Sequence, residues 1–209
     1  MSLNKIIIQP AYFAPIAQYA VFLQAKEALF ETQDHFTKQT FRNRCNIFAA
    51  NGVLSLNIPI KKNKDKTPTP LAEISYAEDW QSLHIKSLQS AYKNAPFYEF
   101  YETEIKEILS TPFKNLGELH LACHRFVIDA LQENTPHRET TTYQMYDDDI
   151  QDLRSWIEVK KQPKINVPTY IQMFDDKHGF QSNLSILDLL FMEGPAAVLY
   201  LEKLACLIS

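Results

Sequence analysis

The sequence predicts an α/β or α+β fold in which helices dominate, organised as a single domain over residues 1–209. Three observations predict it: a short β-branched strand near the start, one β-hairpin signal, and apolar residues at helical spacing along most of the remaining chain. The chain has 209 residues, of which 45% are apolar and 22% are charged. This length is typical of one domain, and the composition is that of an ordinary globular protein.

The first predicted elements are a strand and a helix. Residues 5–8 form a β-branched run that is ended by Gln9 and Pro10, which predicts a buried strand opening into a loop. Residues 19–30 carry apolar side chains at helical spacing among Ala, Lys and Glu, which predicts a helix with one buried face.

A β-hairpin is predicted over residues 46–60. Asn51-Gly52 stands between two apolar runs, IFAA and VLSLNIPI, and this dipeptide is the strongest short hairpin signal. The charged, proline-containing residues 61–70 follow the hairpin, and they predict a solvated loop.

The rest of the chain is mostly helical by periodicity. Three further segments have predictions of their own. The Thr- and Tyr-rich residues 140–146 predict a strand, the acidic residues 147–157 predict the start of a short helix, and residues 163–174 predict an extended segment. The apolar segment 195–208 leaves two alternatives open, packing within the molecule or forming a homodimer. The predicted helices cover residues 79–91, 98–109, 115–131, 184–190 and 195–207.

Composition excludes several classes of function. The four glycines lack the spacing of a dinucleotide-binding turn or a P-loop, and we expect no cofactor. The net charge of −4 argues against nucleic-acid binding. Cys45, Cys123 and Cys206 are far apart and odd in number, which argues against disulfides and structural zinc. No apolar run is long enough to span a membrane, and we expect a cytoplasmic protein.

Gln9 and Tyr12 are the first candidate binding residues. They follow the first predicted strand, and in α/β sheets ligands bind outside the carboxyl ends of the strands. The alternative is a proline-rich loop that only shapes a turn.

A basic segment supplies the second group of candidates. Lys38, Arg42 and Arg44 place three cations within seven residues, with Asn43 between the two arginines. On a strand, Arg42 and Arg44 would share a face, and the guanidinium group suits two-point binding of a carboxylate or phosphate. The interpretation is a site for an anionic small molecule; the alternative is a charged strand edge that resists pairing.

His84 and Asp188 are the candidate catalytic residues. An imidazole titrates near neutrality and can act as a general base. Asp188 stands alone in the apolar string LSILDLLF, and a buried carboxylate there needs a partner, either His84 or one of the arginines Arg42 and Arg44. The alternative is that Asp188 faces outward on an amphipathic helix.

His120 and His124 stand four residues apart, a spacing that places both on one helix face. A zinc protease motif would carry a glutamate between them, whereas residues 121–123 are Leu, Ala and Cys. No third ligand lies nearby in the sequence, and we expect no metal site.

The sequence resembles the WbqC-like family of bacterial proteins. The matching segments are IIIQPAYFAP, FTKQTFRNRCNI, NG followed by LSLNIPI, DWQSLHIKSLQSAYKNAPFYEFY, and YIQMF with the later FQSNLSILDLLFMEGP. They run in the family's order from residue 6 to residue 195. The matched polar positions are Gln9, Tyr12, Tyr19, Lys38, Arg42, Asn43, Arg44, His84, Tyr92, Tyr170, Asn183 and Asp188.

The resemblance implies a role in the synthesis of O-antigen and other surface polysaccharides, with a sugar-modifying transfer step for which glycine is one suggested group. The sequence departs from the family pattern at Ile16 and Gln18, where Trp and Gly are usual, and at Cys45, where Asn is usual. The middle region, residues 132–165, is also reduced relative to longer members.

The residues and the resemblance together predict a transferase that modifies a sugar with an acyl or aminoacyl group. In this hypothesis, Lys38, Arg42 and Arg44 bind an anionic substrate. Gln9, Tyr12, Asn43 and Tyr92 contact it, and His84 is the base, oriented by Asp188. The alternative is a non-catalytic binding or assembly protein that holds an anionic sugar or a lipid-linked intermediate. A nucleotidyl transferase using histidines beside the first strand is disfavoured, because residues 9–19 contain none.

Overall fold

A computed structural model describes residues 3–62, 66–133, 135–146, 149–163 and 167–208. Its larger sheet has four parallel strands drawn from distant parts of the chain, and its smaller sheet is a hairpin. In chain order the strands are Leu3–Ile8 (β1), Ala25–Phe30 (β2), Arg44–Ala49 (β3), Gly52–Asn57 (β4), His137–Glu139 (β5) and Gln151–Asp152 (β6).

The helices make up the larger part of the regular structure, as the sequence predicts. The side chains of Asp79 and Asn115 cap two of them by accepting hydrogen bonds from the backbone N–H groups of Ser82 and Glu118. The α-helices among the described residues are Ile16–Gln24 (α1), Trp80–Tyr92 (α2), Tyr98–Ser110 (α3), Leu116–Leu131 (α4), Asp175–His178 (α5), Ile186–Glu193 (α6) and Ala197–Ile208 (α7).

The four-stranded sheet has the order β5-β2-β1-β6. Helix α1 carries the chain from the end of β1 back to the start of β2, so that these two neighbours run parallel. Ile6 and Ile7 in the centre of β1 are fully buried. This is the burial expected of a parallel strand that is covered on both faces.

The prediction of one helix over residues 19–30 is wrong in its second half. Helix α1 ends at Gln24, and β2 begins at the next residue. The sequence AKEALF of β2 favours a helix by local propensity. In the structure, β2 is flanked by β1 on one side and by β5 on the other, and this pairing with remote segments overrides the local preference.

The predicted hairpin is confirmed, with a turn of a different kind from the one that Asn-Gly pairs usually form. Ala49 pairs with Gly52, so the two loop residues are Ala50 and Asn51. Gly52 follows the turn and has φ +100°. A positive φ of this kind favours glycine, because glycine has no Cβ atom to clash with the backbone.

Residues 140–157 also differ from the prediction. No described residue between 140 and 146 belongs to a strand; β5 ends just before them, at Glu139. Instead of a helix start, the described part of 147–157 forms β6 and a 3-10 turn over Arg154–Ile157. Asp147 and Asp148 lie outside the described residues, as do positions 164–166 of the predicted extended segment. Its other residues up to position 172 have no helix or strand.

Helix α7 packs against α1, and Tyr200, Leu201 and Leu204 of α7 are buried. Of the two alternatives for residues 195–208, packing within the molecule is therefore present. Leu199 and Leu207 of the same helix remain exposed. No helix in the described ranges is long and apolar enough to cross a membrane.

Candidate functional site

The carboxyl ends of the parallel strands bring polar side chains together at one edge of the sheet. Gln9 follows β1, Glu31 follows β2, Thr140 follows β5, and Arg154 lies two residues after β6. All four side chains are buried. Ligands in α/β sheets bind at this edge, because the strand ends there leave a crevice between the loops.

A buried ion pair joins two of these strand ends. Arg154 Nη1 lies 3.1 Å from Glu31 Oε2, and neither side chain is exposed to any large extent. Thr140 Oγ1 donates to Glu31 Oε1 at 2.9 Å. Arg154 Nε also donates to Asp152 Oδ1 at 3.0 Å. The pair therefore has additional hydrogen bonds on both partners, which is the condition for a buried ion pair to be tolerated.

A second buried ion pair lies nearby, between Arg42 and Asp34. Arg42 Nε donates to Thr69 Oγ1 at 3.1 Å, and Nη1 donates to Thr40 Oγ1 at 3.2 Å. These contacts, with that to Asp34 Oδ2, use three of the five N–H groups of the guanidinium. Asp34 Oδ1 is buried and has no hydrogen-bond partner among the residues that the structure describes.

A cleft of about 800 Å³ opens between the two ion pairs. Gln9 Oε1 also lacks a partner among the described residues, so that the cleft is lined by two side chains that each carry a buried, unpaired acceptor, Gln9 and Asp34. Such atoms are costly when they are left unsatisfied, and a ligand with O–H or N–H groups would pair them. The other lining residues include Gln33, Arg42, Tyr143, Asp152, Arg154 and Glu158.

A second, more enclosed cavity of about 280 Å³ also borders the ends of β1, β2 and β5. Its lining is mainly apolar and includes Phe22, Phe30 and Leu121, together with His120 and His124. The two histidines share a helix face, as their spacing predicts, and they also share this cavity.

His120 and His124 are both buried. His120 Nε2 donates to the backbone carbonyl of Arg42 at 2.5 Å. Burial lowers the pKa of His120 to about 4 and that of His124 to about 3, so both rings are neutral near pH 7. In the described ranges, no group of three or more His, Cys, Asp or Glu side chains is placed to hold a metal ion.

The predicted base, His84, lies in the interior, where only 1% of the residue is exposed. Its Nδ1 is 3.0 Å from the hydroxyl of Tyr12, and the ring also hydrogen-bonds to the backbone of Asn57. Burial lowers the pKa of His84 to about 4. The structure therefore brings His84 and Tyr12 together, but neither residue lines the cleft, and the catalytic role of His84 stays a prediction.

Asp188 is completely buried, and its carboxylate has partners other than those expected. Tyr92 donates to Oδ2 and Tyr170 donates to Oδ1, each at 2.6 Å, and Gln172 Nε2 lies 3.2 Å from Oδ1. Burial raises the pKa of Asp188, and these three donors oppose that rise. The expectation that His84 or an arginine is its partner is wrong, because hydroxyl and amide groups of the interior satisfy this carboxylate.

The basic segment does not act as one anion site. Arg42 precedes β3, so it does not share a strand face with Arg44. Arg44 Nε donates to Asn57 Oδ1 at 2.7 Å on the exposed side of the hairpin. Asn43 Nδ2 donates to the backbone carbonyl of Ile58, and Lys38 is exposed. Of the predicted binding residues, Gln9 and Arg42 are the two that line the cleft.

Sequence reasoning missed Glu31, Asp34 and Arg154. The carboxyl-edge rule that singled out Gln9 would have found Glu31 as well, had residues 25–30 been interpreted as a strand. Arg154 was missed for the same reason. Residues 147–157 predict the start of a helix, whereas the structure places strand β6 just before Arg154.

A protein-family model matches most of the chain. The family model of the WbqC-like proteins matches residues 9–162. No curated protein and no solved structure matches the chain. The matched span is most of the chain, and it contains every residue that lines the cleft, from Gln9 to Glu158. The chain belongs to the WbqC-like protein family.

Proposed function

We propose that this protein is a transferase of bacterial surface-polysaccharide synthesis that modifies a sugar with an acyl or aminoacyl group. The sugar binds in the cleft at the carboxyl edge of the sheet. The observation that carries this proposal is the pair of buried, unpaired acceptors there, Gln9 Oε1 and Asp34 Oδ1. Family membership supports the biosynthetic setting.

The chemistry of the cleft suits a polyhydroxylated ligand with one anionic group. Unpaired acceptors select hydroxyl or amine hydrogens, which a sugar supplies. Tyr143, exposed by 57%, offers an aromatic face at the same opening. The carboxylates of Asp34, Asp152 and Glu158 offset the charges of the two arginines. The two remaining N–H groups of Arg42 can bind one phosphate or carboxylate oxygen.

In the proposed reaction, Asp34 acts as the general base. A hydroxyl or amine of the sugar attacks the carbonyl carbon of an activated acyl donor. A new C–O or C–N bond forms, and the bond between the carbonyl carbon and the donor's leaving atom breaks. Asp34 takes the proton of the attacking group and returns it to the leaving atom, which departs with the bonding electrons.

Thermal-shift and isothermal titration measurements with a panel of nucleotide sugars and free sugars test this proposal. We expect one sugar class to stabilise the wild-type protein. Its affinity falls at least about tenfold in Gln9→Met and in Asp34→Asn, because each loses a hydrogen bond to the ligand. Asp176→Asn is the matched control, because Asp176 is exposed and lies outside the cleft.

Two outcomes would count against the proposal. If no sugar of the panel binds, or if all variants bind equally well, the cleft is not the sugar site. Mass spectrometry of the bound sugar after addition of acyl and aminoacyl donors then separates a transferase from a binding protein. Transfer that is lost in Asp34→Asn but retained in His84→Gln assigns the base to Asp34; the reverse result assigns it to His84, as the sequence predicts.

A further inference from the structure

The enclosed cavity of about 280 Å³ is a separate space from the cleft and is built from different side chains. Phe22 and Phe30, both more than nine-tenths buried, form part of the apolar wall of the cavity. Leu121 also lines the cavity and lies at the protein surface, with 39% exposure. No Lys or Arg occurs among the described residues that line it, whereas Glu31, Glu118 and Glu139 do. The lining therefore favours an apolar group and disfavours an anion.

One residue that lines this cavity, His124, carries an unpaired polar atom. Only 9% of His124 is exposed, and its Nε2 has no hydrogen-bond partner in the described part of the chain. Its Nδ1 is 3.4 Å from the hydroxyl of Tyr19. Burial raises the pKa of that hydroxyl, so Tyr19 keeps its proton and can donate it to Nδ1. The ring hydrogen then lies on Nε2, which becomes a donor suited to a carbonyl oxygen.

Only one layer of side chains separates the cavity from the cleft. Glu31 lines the cavity and Arg154 lines the cleft, and the two form the ion pair at 3.1 Å. In the same way, Thr69 lines the cavity and accepts at 3.1 Å from Arg42, which lines the cleft. The two spaces are therefore neighbours at the carboxyl edge of the sheet, and this layer is the partition between them.

We infer that the cavity binds the apolar acyl portion of the donor, with the Nε2–H of His124 donating to its carbonyl oxygen. This assignment rests on the proposed transferase function, in which the cleft holds the sugar. The acyl carbonyl carbon would then lie beside the partition, close to the sugar hydroxyl or amine that attacks it. A neutral acyl group satisfies both the apolar wall and the unpaired imidazole nitrogen, and it places no charge beside the three glutamates.

Three probes with the same chain test the chemistry of the site: hexanamide, hexanoate and hexylamine. Titrations are followed by the NMR signals of the His124 ring and by the melting temperature. We expect hexanamide to shift the His124 signals saturably and to raise the melting temperature, with weaker effects of the two charged probes. Tighter binding of hexylamine would overturn the assignment in favour of an ammonium group held by the glutamates.

Two variants close or alter the cavity. Leu121→Trp fills its mouth from the surface, and His124→Phe keeps a flat ring but removes the donor. Hexanamide affinity is expected to fall at least about tenfold in each, which corresponds to the loss of one hydrogen bond or of the apolar space. Asp176→Asn is the control, because Asp176 is exposed and lines neither the cavity nor the cleft, and its hexanamide affinity stays at the wild-type value.

The outcomes separate this inference from the proposed function. Wild-type hexanamide affinity in both cavity variants, or no effect of hexanamide on the His124 signals, overturns the acyl site. If sugars bind in the cleft and hexanamide does not bind, only the acyl site fails. If hexanamide binds in the cavity and no sugar binds in the cleft, the transferase proposal fails and the cavity remains a ligand site.

Discussion

Asp188 is a charged residue at the centre of an apolar helix, and its surroundings explain how the fold tolerates it. Tyr92, Tyr170 and Gln172 all donate to its carboxylate. Tyr92 also accepts a hydrogen bond from the backbone N–H of Phe48 at 2.9 Å, so the cluster reaches β3. Asp188 therefore connects α2, α6, the hairpin and the segment before α5 through one buried polar group.

Removal of one hydroxyl from this cluster tests its contribution. We expect Tyr92→Phe to lower the free energy of unfolding by about 1–3 kcal/mol, because a buried carboxylate oxygen and a backbone N–H both lose their partner. Tyr76→Phe is the control; its hydroxyl donates to the backbone carbonyl of Phe113 in an exposed position, and its loss should cost less than about 1 kcal/mol. Urea unfolding measures both. Equal losses would show that the Asp188 cluster adds nothing beyond an exposed hydrogen bond.

Two elements show opposite relations between local sequence and structure. The hairpin forms where its turn residues predict it, and its geometry depends on Gly52. Strand β2 forms against its local preference, because it lies between β1 and β5. Its end carries Glu31 into the partition between cleft and cavity, so the candidate site depends on the element that local signals describe worst.

Gly52 provides a test at this scale. A Cβ atom added there would meet no heavy atom within 4 Å, so the effect of a substitution comes from the backbone, which has φ +100°. We expect Gly52→Ala to lower the free energy of unfolding by about 1 kcal/mol. Gly52→Asn should lower it less, because Asn adopts positive φ more readily. Urea unfolding of both variants checks this, and an Ala variant as stable as the Asn variant would argue against backbone strain.

For the whole molecule, the sequence predicted what local signals determine. The capped helices α2 and α4, the hairpin and β1 were all predicted within a few residues. The order of strands in the sheet could not be predicted from the sequence, because β5 and β6 are only three and two residues long and form by pairing with their neighbours. The same limit applies to the site: Gln9 and Arg42 were found by position and charge, whereas Asp34 and Arg154 required the three-dimensional pairing.

Three buried histidines predict the response of the whole fold to acid. Burial lowers the pKa values of His84, His120 and His124 to about 4, 4 and 3. The unfolded chain takes up these protons near its ordinary value of about 6.5. Between about pH 6.5 and about pH 4, the unfolded state thus binds more protons, and the free energy of unfolding falls as the pH falls, by up to about 1.4 kcal/mol per pH unit for each histidine.

Urea unfolding across this pH window measures the slope. In His124→Phe the slope should be roughly two-thirds of that in the wild-type protein, because two of the three histidines remain. Asp188, whose pKa burial raises, acts in the opposite direction and offsets part of the loss. A stability that stays constant or rises on acidification would show that the three rings are not held neutral.

The parallel sheet also has a consequence for the kinetics of folding. Strand β1 pairs with β2, which is close in sequence, and with β6, which is far away in sequence. Strand β2 likewise pairs with β5, which is far away in sequence. Such nonlocal pairing requires long loops to close before the contacts form, which slows folding. On the ribosome, β1 and β2 emerge with their outer edges unpaired. The cleft itself can assemble only after residue 158 has left the exit tunnel, so a nascent chain passes through a long stage in which β1 and β2 are present but the cleft is not.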